Sequence, residues 1–280
     1  MVAPAVRREV VTYLQTQHHF SERRACRLIT VQRSSIRYRP CRTDCADVRQ
    51  RLRALAHRRP RFGYRRLGVL LRRDGFVINH KRVHRLYREE GLALRRRRRK
   101  RAASAVRVRP SLASQPGQQW SMDFMRDTLA SGRSFRTLNV VDEFTRECLA
   151  IEVDTSLPGA RVTRVLDHLR EQRGLPELLI MDNGPEFTGK ALDSWAYHHG
   201  VRLHFIDPGK PIQNAYVESF NGKFRDECLD QPWFVNLADA RRTIESWRHD
   251  YNHVRPHSAL GHQPPALFAS MHAEQQQLSL

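Results

Sequence analysis

Three carboxylates stand out in the 280-residue sequence because of where they fall. Asp123 lies inside WSMDFM, a segment whose other residues favour burial in a strand. Asp182 closes the apolar run ELLIMD and is followed at once by Asn183-Gly184, a strong turn signal. Glu218 sits in the middle of QNAYVESFNGKFRDECL, which reads as a helix. Ligands of open α/β sheets gather at strand ends, so the place of Asp182 is suggestive. A carboxylate in an apolar strand is costly unless it is paired or metal-bound. A few carboxylates suit Mg²⁺, a hard cation that prefers oxygen ligands and keeps some of its water. Ordinary ion pairs to nearby arginines satisfy the same side chains, and the spacing by itself leaves both readings open. The helix carrying Glu218 has an apolar stripe of Val217, Phe220, Phe224 and Cys228, with Asn214, Glu218 and Arg225 near one another on a different side. A carboxylate buried on that helix needs a partner charge.

The elements around these residues alternate. Strands are expected at 120–125, 135–142, 148–153, 177–182 and 201–206, and helices at 160–174, 187–200, 213–229 and 237–252. Three strands followed by alternating helix and strand imply a mixed α/β sheet flanked by helices.

The first part of the chain has a different texture. Residues 1–110 carry 32 Lys or Arg against 7 Asp or Glu, a formal charge of +25, whereas residues 111–280 carry 17 against 22, or −5. Such asymmetry points to a polyanion partner for the basic half, duplex DNA above all, although a ribosomal protein shares the charge. Residues 6–38 read as helix, turn, helix, with Val6, Val10, Val11 and Leu14 at helical spacing and Ser21 capping a second helix. A third begins with Gln32, Arg33, Ser34 and Ser35, the kind of polar turn that reaches base edges. Residues 47–92 repeat the idea. DVRQRLRALAHRR and Tyr64–Arg73 form two helices, Asp74-Gly75 turns the chain, and Asn79 caps a third that stops at Gly91. That third helix offers His80, Lys81, Arg82 and Arg85 to DNA, with Val83, Leu86 and Tyr87 facing inward. The run RRRRRKR at 95–101 belongs to a linker reaching Gln119, and nuclear import is its rival reading.

A zinc site from His18, His19, Cys41 and Cys45 is disfavoured, because the histidines are adjacent and the cysteines poorly spaced. Five dispersed cysteines and an N-terminus without a signal-peptide pattern argue against disulfides. No apolar stretch is long enough to span a bilayer, and a cytoplasmic, nucleoid-associated protein is expected.

The segments WSMDF (120–124), DNGPEF (182–187) and DPGKPIQNAYVESFNGKFRDECL (207–229) together resemble the integrase core of bacterial insertion-sequence transposases. The likeness is closest to the second reading-frame product of the insertion sequence three family. Thirty-five residues separate Asp182 from Glu218, the spacing of that family's second and third acidic ligands. RRACRLITVQRSSIRYR (23–39) and FGYRRLGVLLRRDGFVINHKRVHRLYREEGL (62–92) resemble its N-terminal elements. The resemblance implies a ribonuclease H-like mixed sheet flanked by helices, preceded by all-α helix-turn-helix elements. The implied domains are 1–40 (helix-turn-helix), 47–92 (second helical DNA-binding element), 93–119 (basic linker) and 120–275 (integrase catalytic core). It further implies a transposase that cleaves and joins element ends by phosphoryl transfer with two Mg²⁺ ions, Mn²⁺ substituting. Asp123, Asp182 and Glu218 become the catalytic metal ligands, with Asp123 bridging both ions, and Asn183 and Gly184 shape the turn that aims Asp182. Arg225 matches a basic position taken to contact DNA ends, and Lys223 is grouped with it. Element ends and target DNA, a homo-oligomer assembled on them, and fusion to an upstream frame product are the implied partners.

Two alternatives remain: a DNA-binding regulator with an inactive core, and a ribonuclease H-like nuclease that cuts without joining. A serine recombinase is weaker, because no serine is framed as an activated nucleophile. Thr30 stands where the family often has glycine, and a positive φ there strains it. Asp142 is read as structural, Trp195, Trp233 and Trp247 as core or interface, and His204 as a satisfied core histidine.

Overall fold

The computed structural model describes residues 4–38, 45–94, 112–207 and 211–277, so Cys41 and the basic run at 95–101 lie outside the described residues. The chain divides into two compact units, residues 1–47 and 48–280.

In the first unit, α1 (Pro4–His18), α2 (Glu22–Leu28) and α3 (Arg33–Arg37) pack around Val11, Ala25 and Cys26. Ser21 caps α2 by accepting from the Arg24 amide, as expected for a serine preceding a helix. Thr30 has φ 53, the left-handed conformation that glycine adopts without strain, so the turn does carry the expected cost. Glu22 accepts both arms of Arg37 and the Nε of Arg33, which fastens α3 back onto α2.

The second unit begins with α4 (Ala46–Arg58), α5 (Tyr64–Arg73) and α6 (His80–Glu89). The Asn79 side chain accepts from the Lys81 amide at 2.8 Å, and Val83, Leu86 and Tyr87 are buried. After these helices come β1 (Gln119–Thr128), β2 (Ser134–Asp142) and β3 (Cys148–Asp154), then α7 (Gly159–Arg173), β4 (Leu178–Met181), α8 (Lys190–His199) and β5 (Arg202–Phe205). The sheet order is β3-β2-β1-β4-β5, antiparallel across β1, β2 and β3 and parallel from β1 through β4 to β5. The last elements are α9 (Ala215–Phe224), α10 (Leu237–His253) and α11 (Pro265–Gln277).

Alternation along the strands gives the sheet two apolar faces. Trp120, Met122, Leu138 and Val140 pack with α7 and α8. Phe135, Val141 and Val153 pack with α9 and α10, whose Val217, Phe220, Phe224, Cys228 and Ile244 are buried. Each such aliphatic or aromatic side chain taken fully from water contributes about 1.5–3 kcal/mol, so these faces fix the helices in place.

Several expectations change. The helix expected from 187 starts at Lys190, after a turn at Phe187 and Thr188 closed by amides donating to the Gly184 carbonyl. The single helix expected over 213–229 is a 3₁₀ turn, then α9, then a π-helical turn at Arg225–Leu229. His204 is exposed on the edge strand β5, not in the core, because alternation turns it away from Leu203 and Phe205. Trp195 is buried and donates to Asp167, and Trp247 packs in the core, but Trp233 is 86% exposed. Asp142 is structural: it accepts from the amides of Gly117, Phe144 and Thr145 and so closes the turn after β2.

Beside that turn, Glu143 is 4% exposed and accepts from the Ser121 hydroxyl. Burial first, then the charge of Asp142, pushes its pKa from 4.5 up to about 7, against the pull of Ser121 and Arg146. The folded chain therefore holds a proton that the unfolded chain releases, and stability falls as pH rises between those two values. Glu143→Gln should equal the wild type near pH ~4 and exceed it by up to about 3 kcal/mol near pH ~8. Urea denaturation at the two pH values measures this, and identical midpoints at both would contradict it.

Candidate active site

The strand register sets the first carboxylate. Asp123 and Asn139 are cross-strand partners on β1 and β2, and alternation turns both toward α9. Asn221 of α9 completes the contact. Its Nδ2 donates to Asp123 Oδ2 at 2.6 Å, and its Oδ1 accepts from Asn139 Nδ2 at 2.7 Å. Asn214, which precedes α9, donates to the Met122 carbonyl at 3.3 Å. Both ends of the first turns of α9 are thus tied to β1, and Glu218 lies one turn before Asn221.

The second carboxylate is set by the turn after β4. The Gly184 amide donates to Asp182 Oδ1 at 3.0 Å, and Asn183 Nδ2 donates to the Ile206 carbonyl at 2.8 Å, joining this turn to the end of β5. A Cβ on Gly184 would stand 3.0 Å from Asp182 Oδ1, so the close approach depends on glycine. Nearby, Glu186 pairs with Arg136, whose guanidinium lies 4.6 Å from the Phe124 ring centroid.

The three carboxylates interact electrostatically. Burial first, then the negative charges of Asp182 and Glu218, raise the pKa of Asp123 to about 6, against the Phe124 amide and Asn221. Glu218 is exposed on α9 yet also raised, by partial desolvation. Among the described residues none of the three forms an ion pair, so the alternative of ordinary salt bridges to arginine fails. Carboxylate oxygens whose repulsion has no cation to relieve it are the donor set a hard divalent cation takes. No three acidic, His or Cys side chains among the described residues stand together as a preformed metal cage.

The basic residues divide. Lys223 lies in the groove that Glu218 lines. Arg225 stands at the end of α9, two turns past Glu218. The π turn begins there, and its guanidinium donates to the Arg126 carbonyl at 2.9 Å and faces Asp230 at 4.0 Å. In the helical elements Gln32, Arg33, Ser34, Ser35, His80 and Lys81 are exposed, Arg82 and Arg85 half-buried. Asn221 and Asn139 were not singled out from the sequence. Their signal is a pair of amides placed on the inward faces of a helix and a strand otherwise apolar.

Known proteins share sequence with this chain over most of its length. Residues 113–211 and 199–265 match profiles described as integrase core domain, and residues 44–100 one described as an HTH-like domain. The insertion element IS407 31.7 kDa protein of Burkholderia multivorans is 51% identical over 256 residues, covering 91% of this chain and 92% of the relative. Transposase InsD for insertion element IS2D of Escherichia coli is 29% identical over 236 residues, 80% of this chain and 78% of that one. Among solved structures, the HTLV-2 integrase catalytic core domain in complex with magnesium aligns with a TM-score of 0.44 at 13% identity, over 56% of this chain and 98% of the other.

Gly184→Ala should displace the Asp182 carboxylate and weaken Mn²⁺ binding by roughly tenfold while the melting temperature changes little. Asn221→Ala should cost roughly 1–3 kcal/mol, because it strands the buried Asn139 amide. Mn²⁺ titration and denaturant melts read these effects, and wild-type Mn²⁺ affinity in Gly184→Ala would remove the role given to that turn.

Proposed function

The chain belongs to the insertion-element transposases that carry a retroviral-integrase-like core, and we propose that it cuts and joins DNA through Asp123, Asp182 and Glu218. The observation that supports this assignment is that Asp123 on β1 feels the negative charges of Asp182, after β4, and Glu218 on α9, with no ion pair to any of the three among the described residues. A transposase of this class performs phosphoryl transfer, and an integrase-type core uses a divalent metal. The three carboxylates would hold two Mg²⁺ ions, replaceable by Mn²⁺. When bound, such ions activate the attacking hydroxyl and offset charge on the leaving oxygen.

The chain's own residues supply the positioning. Asn221 holds one oxygen of Asp123, and the Gly184 amide holds one oxygen of Asp182. Burial first, then the negative charges of Asp182 and Glu218, raise the proton affinity of Asp123, and a bound cation would relieve both. Glu218 stands exposed on α9, where DNA has access to it.

The family acts on DNA and assembles as oligomers, and among the described residues no helix is long and apolar enough to cross a membrane. We further propose that residues 1–40 and 47–92 hold duplex DNA of the element ends through Gln32, Arg33, Ser34, Ser35, His80, Lys81, Arg82 and Arg85, with 93–119 as basic linker and 120–275 as catalytic core. On this reading the protein works at the nucleoid as a homo-oligomer formed on element ends and target, or as a fusion to an upstream frame product.

Asp123→Asn, Asp182→Asn and Glu218→Gln should each lower end cleavage and strand joining at least a thousandfold, because each removes an anionic ligand, and each should still bind end DNA. Cleavage of a labelled end duplex in Mg²⁺ measures it. Strand joining within tenfold of wild type in any of the three would refute that residue's assignment.

A further inference from the structure

The groove beside Glu218 has a second wall, built by the segment joining α4 to α5, by α5 and by Leu94 after α6. It encloses about 780 Å³, with Arg61, Arg66 and Leu94 on one side and Glu218, Lys223 and Glu227 among the residues on the other. Ion pairs lock the walls together. Glu227 accepts from Arg66 at 3.0 Å and from Arg255 at 2.7 Å through two nitrogens, and Arg59 pairs with Asp250. Phe62 is buried among the guanidiniums of Arg59, Arg66 and Arg255. The segment joining α4 to α5 is therefore fixed against α9 and α10.

Two cations in this groove lack a carboxylate. Arg61 is exposed and forms no ion pair or hydrogen bond among the described residues. Lys223 Nζ donates to the Ser219 hydroxyl at 3.1 Å and meets no carboxylate within ion-pair distance among the described residues. Glu227, the acid nearest to it, is already shared by two guanidiniums. Burial and then Arg255 and Arg66 lower the pKa of Lys223 to about 8, the mark of a cation in surroundings short of negative charge. Asp226 also lines the groove but is exposed and solvated. One residue beyond Leu94 the sequence enters seven consecutive cations.

We propose that Arg61 and Lys223 jointly bind a backbone phosphate of the DNA strand beside the one being cut, so that the α4–α5 segment forms part of the active-site groove. This rests on the phosphoryl-transfer reading above. Arg61 brings a planar fork that matches two phosphate oxygens, and Lys223 a half-buried point charge. A phosphodiester entering here leaves the next phosphate along the strand near Glu218.

The test uses the full chain and a duplex carrying the inverted repeat that flanks its gene. Arg61→Met and Lys223→Met should each flatten the slope of log K against log salt by about 0.9, and the double variant by about twice that. Lys223→Arg should keep the wild-type slope, as should Arg242→Met, which removes an exposed cation on α10. In the wild type, one neutral methylphosphonate beside the cut should weaken binding, and in Lys223→Met the same replacement should cost nothing further. Wild-type slopes in both groove variants, or equal flattening by Arg242→Met, would overturn the proposal. The two readings fail separately. Cleavage surviving in Asp182→Asn sinks the carboxylate assignment and leaves the slopes unaltered, whereas unchanged slopes with cleavage lost in Asp182→Asn sink the phosphate site alone.

Discussion

The catalytic half of the molecule hangs on a relay of two buried amides. Asn139 donates to Asn221, and Asn221 donates to Asp123, across a strand pair and a helix. Apolar packing by Phe220 and Phe224 supplies most of the energy that holds α9 on the sheet, but that attraction has no direction and tolerates sliding. The amides do not. A shift of α9 by one residue would leave Asn139, which is fully buried, without its acceptor. Because Glu218 sits one turn before Asn221, the relay that fixes the helix also fixes the third carboxylate relative to the first. The neighbouring bond from Asn214 to the Met122 carbonyl sets the same helix at its start.

Against that rigid frame the candidate carboxylates stand without the arginine partners that several other acids have, as Glu143 does beside the turn after β2. Arginine is plentiful, and it neutralises buried acids elsewhere: Arg173 faces Glu147, Arg66 and Arg255 share Glu227, and Arg59 holds Asp250. Asp123, Asp182 and Glu218 have no such partner among the described residues, and burial first, then the charges of Asp182 and Glu218, push Asp123 to about 6. Unrelieved repulsion weakens a fold, and proteins retain such costs at functional sites. The same logic extends to Lys223 and Arg61, cations without a carboxylate facing the same groove.

Much of this was legible in the sequence because local chemistry decided it. Ser21 and Asn79 cap helices as their side chains dictate, and the stripe Val217, Phe220, Phe224 and Cys228 is buried as its spacing demands. The turn signal at Asn183-Gly184 proved to be what orients Asp182. What stayed hidden depends on tertiary contact. The π turn that follows α9 from Arg225, and the bond from Arg225 to the Arg126 carbonyl, were not legible, because no residue type announces such a turn. His204 looked internal among apolar neighbours, yet it lies on an edge strand whose outer face meets solvent. Arg61 is one of 44 arginines, and only the docking of the segment between α4 and α5 on α9 distinguishes it from the others.

The central claim is that Asp182, with Asp123 and Glu218, is a direct ligand of the catalytic metal. Replacing Asp182 by cysteine tests it without removing a metal-binding atom, since a thiolate binds Mg²⁺ poorly and softer ions such as Mn²⁺ or Cd²⁺ well. The measurement is strand joining by Asp182→Cys in Mg²⁺ and again in Mn²⁺ with trace Cd²⁺, beside Asp182→Ser in both. If Asp182 is a ligand, the cysteine variant is inactive in Mg²⁺ and regains joining in the softer ions, while the serine variant stays inactive throughout. Equal activity of the cysteine variant in both media, or rescue of serine to the same extent, would contradict direct coordination.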